Sequence, residues 1–329
     1  MNKLLALSLF IGVYASAMQE GDVQPDSEAA GDTVLDMCYT PDGERMYLVR
    51  CADHLKRVKS RGQEIMTING GSERHLECLD NGTLVVNNRA FKSRATLLRA
   101  CTYAAQMGPV AAVCASGVTT YSVAPKGAVN VFDTCLRMSR GPELAAGISP
   151  KACCRNAWRD KICLKDLNSP QYLRLYDLQT GQEAQELPLD VSNISSSAVE
   201  VVPPRESVLV CDMNYIYALD LRTSQVVQEY ARNVVYLGRE RHLHYVRLFA
   251  NRGSSPYFSV GYGRCGGYRP VVHLRDIRKL SDVVASAKGR SYSSGPTDMK
   301  PDGSEVAFLD DAGEHVVSFG SSEERCTDQ

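Results

Sequence analysis

The chain writes one hairpin twice. "YLRLYDLQTGQEAQEL" runs from Tyr172 to Leu187, and "YIYALDLRTSQVVQEY" runs from Tyr215 to Tyr230. Each alternates apolar and polar residues, breaks at an aspartate (Asp177, Asp220), turns, and alternates again. Period-2 alternation marks a strand with one buried face. The aspartates read as turn formers that accept backbone N–H bonds. A unit of this kind cannot bury its apolar face alone, so it must stack on copies of itself.

Further copies follow proline- or glycine-containing turns. "TPDGERMYLVRCADHLKRVKSRGQEIMTI" turns at Pro41, "VPPRESVLVCDMNYIYALDLRTSQVVQEY" at Pro204 and "MKPDGSEVAFLDDAGEHVVSF" at Pro301. Proline pre-sets one φ and glycine takes a positive one, so two strands can fold straight back. Weaker copies fill the gaps: "LDNGTLVVNN", "GPVAAVCASGVTTYSVAPKGAVNVF", "ISPKACCRNAWRDKICLKDL" and "YLGRERHLHYVRLF" with "PVVHLRDIRKLSDVV". Six intervals between Pro41 and Pro301 give about 43 residues each, the spacing of a four-stranded propeller blade. The expected fold is all-β: a seven-bladed β-propeller of four-stranded antiparallel blades. A competing helical reading applies to "RAFKSRATLLRACTYAAQMG", Arg89 to Gly108, where Phe91, Leu98, Cys101 and Ala105 share a helical face.

"IYALDLRTSQVVQEY" and "LRLYDLQTGQEAQEL" resemble the strand–Asp–turn–strand core of WD-repeat and quinoprotein-like propeller blades. The match is clear over Asp166–Tyr230 and at the two ends, and degenerate elsewhere. No Gly-His pair opens a blade and no Trp-Asp closes one. Gln185 and Gln228 stand where quinoprotein repeats carry an outer-strand tryptophan, and Trp158 is the one tryptophan of the chain.

The ends carry different signals. "MNKLLALSLFIGVYASA" has Lys3, an apolar run from Leu4 to Tyr14, and Ala15-Ser16-Ala17. That order reads as a signal peptide over residues 1–17, cleaved after Ala17, and the run is too short to span a bilayer. Residues 18–32, "MQEGDVQPDSEAAGD", read as a flexible acidic lead. The propeller is expected over 33–320 and a polar tail over 321–329. The last unit shows about three strands, so Thr33 to Tyr39, or the run after it, is expected to complete that blade and close the ring from the N-terminal region. The expected location is secreted, or periplasmic in a bacterium.

The 12 cysteines fit an oxidising compartment. Most are expected to pair, with Cys38/Cys51 and Cys101/Cys114 as candidate hairpin staples. Adjacent Cys153 and Cys154 could form a strained ring, but neighbours on a strand point to opposite faces, which favours separate partners. Asn81 and Asn193 head Asn-x-Ser/Thr sequons and are candidate glycan acceptors.

A net charge of −1 gives no electrostatic case for nucleic acid or an anionic membrane. No nucleophile elbow, P-loop or His-Glu-x-x-His motif is present. His242 and His244 could share a strand face and hold a metal with a third ligand, though their charged flanks favour a solvated face. Neither a metal nor a cofactor is expected, nor any stable membrane insertion. The segment Gly253–Pro270, "GSSPYFSVGYGRCGGYRP", reads as a long Gly/Tyr/Arg loop on a rigid scaffold. Its Tyr262, Arg264, Tyr268 and Arg269 are the candidate partner-binding residues. The leading expectation is a protein-binding or scaffold module with a protein partner. The alternative is a small propeller hydrolase, lyase or transferase with a site in the central channel.

Overall fold

A computed structural model describes residues 32–318 apart from 69–74, 93–102, 109, 145–147, 154–156, 167–172, 188–198, 203–204, 212–214, 232–234, 237–238, 241–244, 251–256, 264–270, 289–296 and 311–312. Among the described residues all regular elements of any length are strands. The first sheet is β1 (Thr33–Tyr39), β2 (Arg45–Arg50), β3 (Lys56–Ser60) and β4 (Gln63–Ile68). The second is β5 (Leu76–Cys78), β6 (Leu84–Val86), β7 (Arg89–Lys92) and β8 (Tyr103–Gln106). The third is β9 (Ala112–Ser116), β10 (Thr119–Val123), β11 (Ala128–Phe132) and β12 (Met138–Glu143). The fourth is β13 (Ile148–Cys153), β14 (Lys161–Asp166), β15 (Leu173–Asp177) and β16 (Glu183–Leu187). The fifth is β17 (Val199–Val202), β18 (Ser207–Cys211), β19 (Tyr215–Asp220) and β20 (Gln225–Ala231). A short ribbon, β21 (Val235–Tyr236) and β22 (Arg239–Glu240), precedes the sixth sheet. That sheet is β23 (Tyr245–Ala250), β24 (Tyr257–Gly263), β25 (Val271–Asp276) and β26 (Lys279–Lys288). The chain then forms a three-stranded sheet, β27 (Thr297–Met299), β28 (Glu305–Asp310) and β29 (Gly313–Ser318).

In every one of these larger sheets the strands pair in chain order and antiparallel. First strands of neighbouring sheets touch: β1 meets β5, β9 meets β13, β13 meets β17, and β17 meets β23. This is a β-propeller with WD40-like blades. Among the described residues it has six four-stranded blades, one fewer than the seven expected from the spacing; the last sheet has three strands there. Residues Thr33–Tyr39 do not add a fourth strand to it. They pair with β2 as the first strand of the first sheet, in the register Cys38↔Met46 and Tyr39↔Arg45.

The cores lie between sheets, as stacking of half-buried units requires. The largest cluster joins the fourth, fifth and sixth sheets through Leu173, Leu175, Val208, Leu209, Ile216, Leu219, Phe258 and Val260. The two similar hairpins are β15–β16 and β19–β20, in neighbouring sheets. The Pro41-Asp42-Gly43 and Pro301-Asp302-Gly303 turns occupy equivalent places, each linking the first and second strands of its sheet. The helical reading of Arg89–Gly108 is corrected at the two ends of that run; residues 93–102, with Leu98 and Cys101, lie outside the described residues. Arg89–Lys92 and Tyr103–Gln106 are paired strands, because Ala90 and Phe91 pair back onto β6 and the alternating face wins.

The glutamines at the tryptophan position hold neighbouring sheets together. Gln228 Nε2 donates to Ile277 O at 3.0 Å and Arg278 O at 2.9 Å, while its Oε1 accepts from Leu280 N at 3.1 Å. Gln185 Nε2 donates to Leu221 O at 3.2 Å and also meets Ser224 Oγ. Each glutamine thus reaches from the outer strand of one sheet to the last turn of the next.

The cysteine staple over Cys38 and Cys51 is not formed, and no disulfide joins two described cysteines. The register explains it. Cys38 lies opposite Met46, whereas Cys51 follows Arg50, which lies opposite Thr33. The two are about five residues apart along the hairpin, roughly 17 Å at ~3.4 Å per residue, against about 6 Å between bridged Cα atoms. Cys38, Cys51, Cys78, Cys114, Cys163 and Cys211 are buried, where sulfur packs as a small hydrophobe. Cys101 and Cys154 lie outside the described residues.

Candidate functional site

Several turns of this scaffold are built on an aspartate that accepts backbone N–H bonds. Asp220 Oδ1 accepts from Arg222 N at 2.7 Å and Thr223 N at 3.1 Å. Asp177 Oδ1 accepts from Gln179 N at 2.8 Å and Thr180 N at 2.9 Å. Asp276 Oδ1 accepts from Arg278 N at 2.8 Å. Both expected turn aspartates therefore act as such, and Asp276 repeats the pattern in the sixth sheet.

In two of these turns the residue two places on is an arginine, and the same carboxylate orients it. Arg222 Nη2 lies 3.0 Å from Asp220 Oδ2. Arg278 Nε lies 2.9 and 3.0 Å from the two oxygens of Asp276. The Arg222 side-chain and backbone hydrogen bonds hold the Asp220 carboxyl down to about 2. At Asp276 burial pushes upward, but hydrogen bonds from Arg278 outweigh it and the net shift is downward. Both carboxylates stay charged across the physiological range.

A third arginine joins from the fourth sheet. Arg159, just ahead of β14, pairs with Glu206, and Arg222 Nε reaches the same Glu206 at 3.3 Å. Arg159 also lies over the Trp158 ring, 4.9 Å from its centroid. The arginines point outward, with side-chain exposures of 66%, 62% and 61% for Arg159, Arg222 and Arg278. Their carboxylates lie beneath, at 26%, 19% and 13% for Glu206, Asp220 and Asp276. In an antiparallel meander the first-to-second and third-to-fourth connections leave at the same end of the sheet. All three arginines therefore share one face of the propeller. The signal for two of them lies in the sequence as Asp-Leu-Arg at 220–222 and Asp-Ile-Arg at 276–278, of which only Asp220 is singled out above, as a turn former.

The sequence-derived binding residues are placed differently. Tyr262 is not in a loop: Tyr257–Gly263 is β24, with Tyr262 opposite Val246 and Val271. Phe258 and Val260 are buried there, an alternation that the surrounding glycines obscured. Arg264, Tyr268 and Arg269 fall in the segment joining β24 to β25, outside the described residues, as do Asn193, His242 and His244. Asn81 is described. Its Nδ2 donates to Thr120 Oγ1 at 2.8 Å and Val118 O at 3.4 Å, and its Oδ1 accepts from Thr83 N at 3.1 Å. It clasps the second sheet to the third.

Carboxylates on first strands form a second set. Asp36 Oδ2 on β1 accepts from Leu76 N on β5 at 2.7 Å. Asp298 Oδ2 on β27 accepts from Tyr39 N on β1 at 2.8 Å. The same bond thus links the first sheet to the second and the three-stranded sheet to the first. Around the latter contact Tyr39 Oη donates to Glu305 at 2.5 Å, Tyr47 Oη to Glu314 at 2.7 Å, and Arg45 Nη1 to Glu314 at 3.0 Å. Burial, with Glu305 and Glu314 beside them, raises the Tyr39 and Tyr47 phenols well above the usual range. At the start of β5, His75 Nε2 lies 3.2 Å from Glu77 Oε2, and its Nδ1 lies 3.9 Å from Asp36 Oδ2. Among the described residues no group of three or more His, Cys, Asp or Glu is arranged to hold a metal. No described helix is long and apolar enough to cross a membrane.

No family model matches the chain, and no curated protein does. Among solved structures 1322 chains match, so the likeness singles out a fold and no one activity. One is a chain of the "Crystal Structure of Mitotic Checkpoint Complex", with a TM-score of 0.61 at 11% identity, the match covering 97% of this chain and 99% of that one. At that identity the chain is similar to it in fold alone.

Proposed function

We propose that this chain is an exported β-propeller that works as a protein-binding scaffold. The observation that carries the reading is the convergence of outward side chains from three consecutive sheets on one face, each fixed by a turn carboxylate. Rigid strands that present such turns suit recognition spread over several blades. The likeness to a chain of a checkpoint complex supports protein partners as the class. The three-stranded sheet is the seventh blade in this reading, and the N-terminal sheet closes the ring by packing against it rather than by donating a strand. Export follows from the leader, with a mature N-terminus at Met18 and delivery outside the cell or to a periplasm. Tyr262, Arg264, Tyr268 and Arg269 remain proposed contact residues of the sixth sheet, at its second-to-third connection and so separate from the face of the three arginines.

The test is affinity capture from secreted material with wild type and with Y262A/R264A/Y268A/R269A, both shown to be folded. Loss of specific partners from the variant supports the reading; identical partner sets remove these four residues. N-terminal sequencing tests export, and an intact Met1 would overturn it.

A channel enzyme is the second reading. His75 between Glu77 and Asp36, at the contact of two first strands, is the observation that favours it, since a carboxylate-flanked imidazole can shuttle a proton. A turnover activity abolished by His75→Gln, with partner capture unchanged, would move the assignment to this site.

A further inference from the structure

We propose that Arg159, Arg222 and Arg278 form a docking surface for an acidic, extended segment of a protein partner. The inference rests on the scaffold reading and adds the surface and the partner chemistry.

Three features support it. The first is layering: the guanidinium side chains are 61–66% exposed, while the carboxylates that pair with them are 13–26% exposed. An approaching chain meets cations first, although the charges nearly balance in number. The second is order. Arg222 and Arg278 are each held by the aspartate two residues earlier, which also fixes the turn backbone. Arg159 is held by Glu206 and the Trp158 ring. Side chains already restrained lose less entropy on binding. The third is continuity. Arg159 and Arg222 meet at Glu206 across the fourth and fifth sheets, and Gln228 clasps the fifth sheet to the backbone of Arg278. The three cations thus follow one another along an arc, which suits carboxylates spaced along an extended strand.

Arginine suits that partner because its planar fork matches a carboxylate. The acidic partner is favoured over nucleic acid by the carboxylates beneath the arc. A phosphate backbone carries dense charge and would meet Glu206, Asp220 and Asp276 as repulsion at close range, whereas a peptide can alternate its acids with neutral residues.

The probe is a labelled 12-residue peptide alternating glutamate with glycine and serine, with its glutamine counterpart and a single-stranded DNA 12-mer as comparisons. Binding to the full chain is followed by anisotropy at low and physiological salt. Wild type is expected to prefer the glutamate peptide over both comparisons by about tenfold or more. Each of R159Q, R222Q and R278Q should weaken it about threefold, the scale of one exposed ion pair, and the triple variant about twentyfold. The triple Arg→Lys variant keeps the three charges and controls for folding; without the planar fork its affinity should fall between wild type and the triple glutamine variant. A triple glutamine variant that is folded and binds the peptide like wild type overturns the proposal. Equal binding of DNA or of the glutamine peptide does so too. If the peptide result fails while affinity capture still yields partners, the arc falls and the scaffold reading stands. If neither wild-type measurement yields binding, both fall.

Discussion

Replacing Asp298 with alanine should loosen the contact between the chain's last and first sheets. Asp298 is 3% exposed. Its Oδ2 accepts from Tyr39 N at 2.8 Å and its Oδ1 from Met299 N at 2.9 Å. Tyr39 is 1% and Met299 4% exposed, so water cannot readily replace the lost acceptors. A buried donor left without an acceptor costs about 1–3 kcal/mol, and two such donors give about 3 kcal/mol in all. For a protein of this size each kcal/mol lowers the melting temperature by about 2 °C, so the drop should be about 6 °C. Asp36→Ala is the internal standard. It removes the equivalent pair of bonds, to Leu76 N at 2.7 Å and Met37 N at 2.9 Å, within the contact of the first two sheets. Its side chain is 14% exposed, so water offsets part of the loss and a drop of about 4 °C is expected. Thermal unfolding followed by circular dichroism measures both variants under one set of conditions. A clear drop for Asp36→Ala beside a change under about 1 °C for Asp298→Ala would refute the reasoning, because the last sheet would then not bear on the first.

Gln228→Ala removes three hydrogen bonds between the fifth and sixth sheets and should cost about 2 kcal/mol by denaturant unfolding, while replacement of exposed Gln179 should cost less. Gly181 takes φ +75 with Glu143 O only 2.6 Å from where a Cβ would sit. Gly181→Ala should therefore destabilise by about 3 kcal/mol, against about 1 kcal/mol for Gly82→Ala, which has the same φ and open space. Asp220, held down to about 2 by Arg222, contributes stability that is present above its unfolded value near ~3.9 and is lost as pH falls through about 2. An NMR titration of the carboxyl should show that midpoint, moving up toward ~3.9 in Arg222→Gln.

Much of the fold was legible because each unit must satisfy its own turns locally. Asp177 and Asp220 with their small polar followers mark hairpins without reference to anything distant, and the Pro-Asp-Gly turns at 41 and 301 fall at equivalent points of their sheets. What depends on register was less legible. Cys38 and Cys51 are close in sequence, yet antiparallel pairing sends them to opposite ends of one hairpin. Tyr257–Gly263 read as a loop from its glycines, although Phe258 and Val260 fill the core on alternate positions. The arginine arc was hidden for a related reason. Its members come from three sheets, and Arg159 meets Arg222 only through Glu206, 47 residues beyond it. Nothing local in the sequence reveals that such residues share a face.

The most direct measurement is amide hydrogen exchange at Tyr39. Its N–H points out of β1 toward Asp298, 259 residues away in the chain. If the first and last sheets pack together in solution, this amide should be protected to the level of central-strand amides such as Leu209, which is 0% exposed, and should exchange through global unfolding. Exchange at the rate of an exposed strand edge, with Leu209 still protected, would mean that the ring stands open between its first and last sheets.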